Sequence, residues 1–195
     1  MRLDYKGKYL FAFSDTHGMH RKLSIPKGTD ILICAGDVVS DFQENELSDF
    51  FNWFSSCPAQ LRLFVPGNHE IIFDLCPEEA RRLIPANVTL LEDCGIEYDD
   101  ITFYAISSRM IQQMQWLGEE CGLPHKTDFL ITHIPPKGIL DESMGSEILK
   151  QIILERQPKY HLFGHVHSKG GLCEKKWSTK FGNVSTFQAL CKTND

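Results

Sequence analysis

Leu61-Arg62-Leu63-Phe64-Val65-Pro66-Gly67-Asn68-His69-Glu70 divides into two halves of opposite character. Leu61 to Val65 is a short, mostly apolar run bounded by turn residues, which predicts a buried strand. Gly67 then opens a polar turn, where it is expected to supply backbone freedom that a side chain would resist. The turn delivers a carboxamide, an imidazole and a carboxylate in immediate succession. Open α/β sheets bind ligands at the carboxyl ends of their strands, and this is such an end. Taken alone, the turn is equally well a polar loop with a hydrogen-bonded histidine.

The layout recurs outward along the chain. Tyr9 to Phe13 predicts a strand and runs into Ser14-Asp15-Thr16-His17-Gly18. Asp30 to Ala35 is continuously apolar at Ile31, Leu32, Ile33 and Cys34, as a strand buried on both faces should be, and ends in Gly36-Asp37. Phe129 to Thr132 ends in His133, followed by a stiffening Pro135-Pro136, and Tyr160 to Phe163 ends in Gly164-His165-Val166-His167. Extended backbone would send Asp15 and His17 to one side, and likewise His165 and His167. Between these runs, apolar spacing predicts helices over Asn45–Phe54, Pro77–Ile84, Met110–Glu120 and Ser146–Arg156. Further strands are expected at Val88–Leu91, Gly95–Tyr98, Ile101–Ile106 and Val184–Phe187, with an Asp99-Asp100 hairpin turn. Strands alternating with helices make the class α/β.

At 195 residues, with no repeat or linker, the chain is expected to be a single domain spanning 1–195. The formal net charge of -6 argues against a protein that coats a nucleic acid polymer or an anionic membrane. No apolar run reaches the length of a membrane span and no signal-peptide layout precedes Tyr9, so a cytoplasmic location is expected. The seven cysteines are scattered and contain no Cys-x-x-Cys pair, which favours free thiols over disulfides or structural zinc.

The strand ends together offer Asp15, His17, Asp37, Asn68, His69, His133, His165 and His167, all oxygen or nitrogen donors. Mixed imidazole and carboxylate sets suit divalent ions such as manganese, iron and zinc. Eight donors are too many for one tetrahedral ion and about right for two ions sharing a carboxylate. Two metals about 3.5–4 Å apart form the clamp used in phosphoryl chemistry, where they acidify a water and stabilise charge on phosphoryl oxygens. Each residue singly has a structural alternative, such as a helix cap for Asp15. That alternative requires five apolar runs to end in metal-type donors independently.

The set Asp15 with His17, Gly36-Asp37, Gly67-Asn68-His69-Glu70, His133 and Gly164-His165-Val166-His167 resembles the signature of the calcineurin-like metallophosphoesterases, in the family's order, across Tyr9 to His167. Met19-His20-Arg21 and Phe73-Asp74 beside it resemble the branch of small metallophosphoesterase-domain proteins. The resemblance implies a four-layer α-β-β-α sandwich of two mixed β-sheets flanked by helices. It implies that Asp15, His17 and His167 hold one metal, that Asn68, His133 and His165 hold the other, and that Asp37 bridges. The ions would be manganese first, with iron, zinc, nickel or magnesium as alternatives. His69, with Asn68, would contact substrate and assist the leaving group, and Glu70 would hold the His69 ring. The implied activity is phosphoric ester hydrolysis by direct attack of a metal-bound hydroxide.

One departure bears on substrate. The protein-phosphatase branch carries an arginine shortly after Gly-Asp, whereas here Gly36-Asp37 continues Val38-Val39-Ser40-Asp41-Phe42. Without that bidentate clamp, singly charged phosphodiesters are favoured over monoesters or phosphoproteins, with Lys137, Arg109 and Lys169 as substitutes. A non-catalytic scaffold of the same fold is the other alternative. The partner expected is a small phosphoester. Loops Ser40–Glu46, Ser107–Gly122 and Lys137–Gly145 would set specificity. Of the other histidines, His161 is expected to be structural and His20 to sit on a surface helix or at the entrance, and His125 has no assigned role.

Overall fold

The computed structural model describes residues 1–40, 44–118 and 120–192, so part of the expected Ser40–Glu46 loop lies outside the described residues. The first sheet opens with β1 (Arg2–Tyr5), antiparallel to β2 (Lys8–Phe13). Lys6 and Gly7 join them at positive φ, the conformation a two-residue hairpin turn demands. β2 pairs in parallel with β3 (Ile31–Cys34), β3 with β4 (Leu61–Phe64) and β4 with β5 (Thr89–Leu90). The connections carry α1 (Glu44–Ser56), α2 (Ile72–Leu75) and α3 (Pro77–Arg82).

The second sheet contains β6 (Gly95–Tyr98), β7 (Ile101–Ala105), β8 (Phe129–Ile131), β9 (Tyr160–Phe163), β10 (Cys173–Lys176) and β11 (Thr179–Asn183), in the spatial order β10-β11-β9-β8-β7-β6. Its four inner strands are parallel and both edge pairs antiparallel. α4 (Ser108–Leu117), α5 (Glu147–Arg156) and α6 (Phe187–Cys191) complete the chain.

Alternation along the strands builds the layers. Leu10, Ala12, Ile31, Ile33, Leu63 and Val65 turn one way and meet Ile101, Phe103, Phe129, Ile131 and Leu162 of the other sheet. The intervening Phe11, Phe13, Leu32, Cys34 and Phe64 turn the other way, onto Leu47, Phe50, Phe51 and Phe54 of α1. On the far side, Tyr104, Leu130, Phe163 and Phe181 pack on Ile111, Met114, Leu149 and Ile153 of α4 and α5. Each fully buried Phe or Leu contributes roughly 1.5–3 kcal/mol relative to exposure. The result is the four-layer α-β-β-α sandwich of two mixed sheets.

Three expectations shift. The helix expected at Met110–Glu120 begins earlier because Ser107 caps it, accepting from the Met110 N–H, and it ends where Gly118 turns left-handed. The strand expected at Val184–Phe187 lies instead at Thr179–Asn183, and Phe187 begins α6. Val184 is apolar because it fills the inter-sheet core from a loop, whereas β11 carries an exposed Lys180 and shows no apolar run. β1 and β10 were not expected, since their exposed positions hold Arg2, Asp4, Lys175 and Lys176. Among the described residues the cysteines are free, and no helix is long and apolar enough to cross a membrane.

Candidate metal centre

Parallel strands send all their carboxyl ends to one side of the molecule, so the loops after β2, β3, β4, β8 and β9 meet above the seam between the sheets. Backbone bonds stitch them: Asp15 N–H donates to Gly36 O at 2.9 Å and Gly164 N–H to His133 O at 3.0 Å. Gly67 is required here for space rather than for φ, since a Cβ on it would stand 2.5 Å from the Asp37 nitrogen. Its neighbour Gly36 is the one that needs the left-handed region, at φ +87. A Cβ on Gly164 would likewise stand 2.5 Å from Asp15 Oδ2. Asp15, His17, Asp37 and His165 all take positive φ, so extended geometry is not what aims their side chains. Such strained backbone is concentrated at functional sites.

Two donor clusters result. Asp15, His17 and His167 form one, with His167 Nε2 3.2 Å from Asp15 Oδ1 and 3.2 Å from His17 Nε2. Asp37, His133 and His165 form the other, with His133 Nε2 3.1 Å from Asp37 Oδ2. His165 and His167, expected to face the same way, are thus divided between the clusters, because the left-handed His165 turns the chain between them. Asn68 Oδ1 lies 3.0 Å from His165 Nδ1, which adds the carboxamide to the second cluster. His17, Asp37 and His69 form a third grouping that joins the two, and the His69 ring stands 4.7 Å from the His17 ring. All eight donors therefore lie at one place.

The donor set fits cations. His133 is fully buried and its Nε2 has no hydrogen-bond partner, although Nδ1 is committed to the Ala35 carbonyl at 2.7 Å. A carbonyl accepts only, so Nδ1 carries one proton, and Nε2 beside Asp37 is left for a second proton or for a metal ion. His17 is arranged alike: Nδ1 donates to Val39 O at 3.2 Å, and Nε2 faces His167. No Lys or Arg among the described residues pairs with Asp15 or Asp37, both essentially buried.

Burial alone would lower the His133 imidazole, yet Asp37, Asp15 and the Ala35 carbonyl raise it to about 10. Burial works against ionisation of Asp15 and Asp37, but their imidazole partners hold both carboxyls below the usual range. These carboxylates thus draw positive charge into a buried place, and a divalent ion would take the role of the His133 proton. Burial lowers His17 and His165, which keeps their lone pairs available.

Glu70 does something other than hold the His69 ring. Its buried carboxylate accepts the N–H groups of Gly67 at 2.7 Å, Asp37 at 2.8 Å, Val38 at 2.7 Å and Val39 at 3.3 Å, fastening the loop after β4 to the loop after β3. Burial and the nearby Asp37 push its carboxyl upward, opposed by those N–H groups. The His69 ring instead turns Nδ1 to the Ser40 carbonyl at 3.2 Å. Its backbone N–H donates to Asp37 Oδ1 at 3.0 Å, leaving Oδ2 to face the imidazoles.

His161 is structural as expected, buried with Nε2 2.8 Å from Thr132 Oγ1, and burial lowers it to about 3. His20 is not on the surface: it is buried against Phe50 and Trp53, with Nε2 3.1 Å from Asp49. Its short 3₁₀ turn after Gly18 folds inward, which apolar periodicity could not reveal. Phe187, unexpected near the site, lies tilted with its centroid 4.3 Å from that of the His167 ring and edge-on to the His17 ring at 5.2 Å. Apolar spacing places Phe187 in a strand over Val184–Phe187, which gives no reason to bring it to the strand ends.

A family model described as calcineurin-like phosphoesterase matches residues 10–169, the span that carries every donor. The chain belongs to the calcineurin-like phosphoesterases. The chain is similar to a UPF0046 protein of Caenorhabditis elegans, 34% identical over 184 residues, covering 82% of this chain and 63% of the relative. It is also similar to human Metallophosphoesterase domain-containing protein 1, 28% identical over 197 residues, covering 82% and 60%. The chain thus spans about 60% of the length of these curated relatives. The phosphopantetheinyl hydrolase PptH from Mycobacterium tuberculosis shares the fold, with TM-score 0.67 at 15% identity over 90% of this chain and 88% of that one.

Proposed function

We propose that this calcineurin-like phosphoesterase hydrolyses small phosphodiesters with two divalent cations, manganese being the first candidate. The supporting observation is the buried convergence of Asp37 and His133, whose facing Oδ2 and Nε2 atoms are 3.1 Å apart with no Lys or Arg beside them among the described residues. Asp15, His17 and His167 would hold one ion and Asn68, His133 and His165 the other, with Asp37 shared. When bound, such ions supply Lewis acidity, polarising phosphoryl oxygens and making water acidic enough to attack near neutral pH.

The chain's own groups do the rest. His69 donates Nδ1–H to Ser40 and keeps Nε2, 3.9 Å from Asp37 Oδ2, on a ring whose side chain is 32% exposed. From there, in the imidazolium form, Nε2–H can orient a phosphoryl oxygen and pass its proton to a departing alkoxide while Nδ1–H stays on Ser40. Two features favour diesters. No arginine stands in the Val38-Val39-Ser40-Asp41-Phe42 stretch after Asp37, and the basic groups that could substitute are each paired with a carboxylate: Lys137 with Glu147, Arg109 with Glu92, and Lys169 with Glu142. The partner proposed is a small phosphoester, and free thiols favour the cytoplasm.

Purified protein given manganese should turn over bis(p-nitrophenyl) phosphate faster than p-nitrophenyl phosphate. His165→Ala and Asn68→Ala should each lose on the order of 10²–10³-fold. Unchanged turnover in both variants would refute the proposal.

A further inference from the structure

We propose that Glu46, in the first turn of α1, is a positioning residue for His69, acting through Ser40. This rests on the reading that His69 faces the ester. The loop from Asp37 to Ser40 is held from both sides. Its first three N–H groups go to Glu70. The fourth, Ser40 N–H, donates to Glu46 Oε2 at 2.6 Å, while the Ser40 hydroxyl donates to Glu46 Oε1 at 2.6 Å. The carbonyls of the same four residues point the other way. Asp37 O accepts from His17 N–H, Val38 O from Gly18 N–H, Val39 O from the His17 ring, and Ser40 O from the His69 ring.

Two carboxylates therefore aim one short backbone segment at two site imidazoles. Glu70 covers Asp37 to Val39, and its longest bond, 3.3 Å, is to the last of these. Ser40, whose carbonyl fixes the His69 tautomer, is instead clasped by Glu46. That clasp is rigid for a reason outside the loop, because α1 is anchored by Leu47 and Phe50, both buried in the core. The Glu46 carboxylate also lies against the turn that follows His17, since a Cβ on Gly18 would stand 3.5 Å from Glu46 Oε1. An acid in a first helical turn is favoured by the helix dipole, so the clasp and the helix support each other.

Outer hydrogen-bond partners of site histidines typically account for 10–100-fold in activity. Glu46→Ala in the full chain with manganese should therefore lower kcat on bis(p-nitrophenyl) phosphate about tenfold, with KM within about twofold. Glu46→Gln, which keeps one acceptor oxygen, should lose about threefold, and Ser40→Ala, which removes only the hydroxyl bond, a similar amount. In a His69→Ala background, Glu46→Ala should lose less than about twofold, because coupled residues are not additive. ¹⁵N-histidine spectra of the metal-free chain give a second readout: His69 should carry its proton on Nδ1 in the wild type and on a mixture of nitrogens in Glu46→Ala, with His133 unchanged. An equal loss with and without His69, or an unaltered His69 tautomer in Glu46→Ala, would overturn the proposal. A wild-type chain inactive on every ester would sink the phosphodiesterase reading instead, and the spectra would still decide this one.

Discussion

Asp37 and Asp128 are buried carboxylates at opposite ends of the same two-sheet core, and the chain treats them differently. Asp128, just before β8, is neutralised from within: Lys159 Nζ lies 2.6 Å away, the Tyr5 hydroxyl 2.6 Å, the Thr102 N–H 3.0 Å and Lys6 Nζ 3.2 Å. These partners hold its carboxyl low against the opposing effect of burial. Asp37, just after β3, faces only imidazoles and one backbone N–H within hydrogen-bond reach among the described residues, and the buried His133 Nε2 opposite it is unpartnered. A buried charge needs a partner. Asp128 has fixed ammonium partners, whereas Asp37 has imidazoles, whose protons a metal ion can replace.

The largest test of that contrast removes the shared carboxylate. Asp37→Asn keeps the shape and the bond from His69 N–H but takes away the negative charge between the two donor clusters. Turnover of a diester with excess manganese should fall on the order of 10²–10³-fold, the range seen when one electrostatic stabiliser of a transition state is lost. Elemental analysis should find fewer ions per chain. Two ions retained with near-normal turnover would show that Asp37 is an ordinary buried acid like Asp128.

Much of this contrast is legible in the amino-acid sequence. A strand buried on both faces, Ile31 to Cys34, cannot end in an unpartnered Asp37 without a reason, and the donors at the other strand ends supplied it. The pairing of donors was not legible from spacing. His165 and His167 are two residues apart, but a left-handed residue sends them to different clusters. Glu70 was misread for a related reason: its neighbour in sequence is His69, while its hydrogen bonds run to residues 31–33 positions away and to Gly67. Tertiary bonds of that kind leave no periodicity. Asp128 escaped notice altogether, since Tyr5, Lys6 and Lys159 are brought to it only by sheet pairing.

A smaller effect is expected at the self-sufficient end. Asp128→Asn should destabilise the fold by about 2–3 kcal/mol, since hydrogen bonds to a charged group are each worth about 1.5–3 kcal/mol and part of the set survives. The melting temperature should drop by roughly 5–10 °C. The sign with pH follows from the lowered folded value. The stabilisation is complete above the unfolded carboxylate value of about 3.9 and is lost as pH falls through the lower folded one. The gap between wild type and variant should therefore stay constant from about pH 5 to 8 and close in more acid solution. Asp128 and His133 lie at opposite ends of β8, roughly 15 Å apart at about 3.3 Å per residue. Diester turnover at 25 °C should stay within about twofold, and manganese should raise the melting point of both proteins equally. A variant that lost metal response would mean that the two ends are coupled.

The smallest expected effect asks whether the metal end is truly without a lysine or arginine of its own. Lys169, two residues past His167, is the basic group nearest in sequence to a donor, and it pairs with Glu142 at 3.5 Å, the two side chains being 36% and 45% exposed. Exposed pairs of this kind are screened by salt over about 10 Å at 0.1 M. Lys169→Ala should accordingly move KM for bis(p-nitrophenyl) phosphate by less than about twofold and leave kcat unchanged. Measuring p-nitrophenyl phosphate in parallel sharpens the outcome, because a doubly charged monoester would feel a missing ammonium more than a singly charged diester. A tenfold rise in KM for the monoester alone would mean that Lys169 leaves Glu142 to meet substrate. The preference for diesters would then come from the leaving group rather than from the charge of the phosphate.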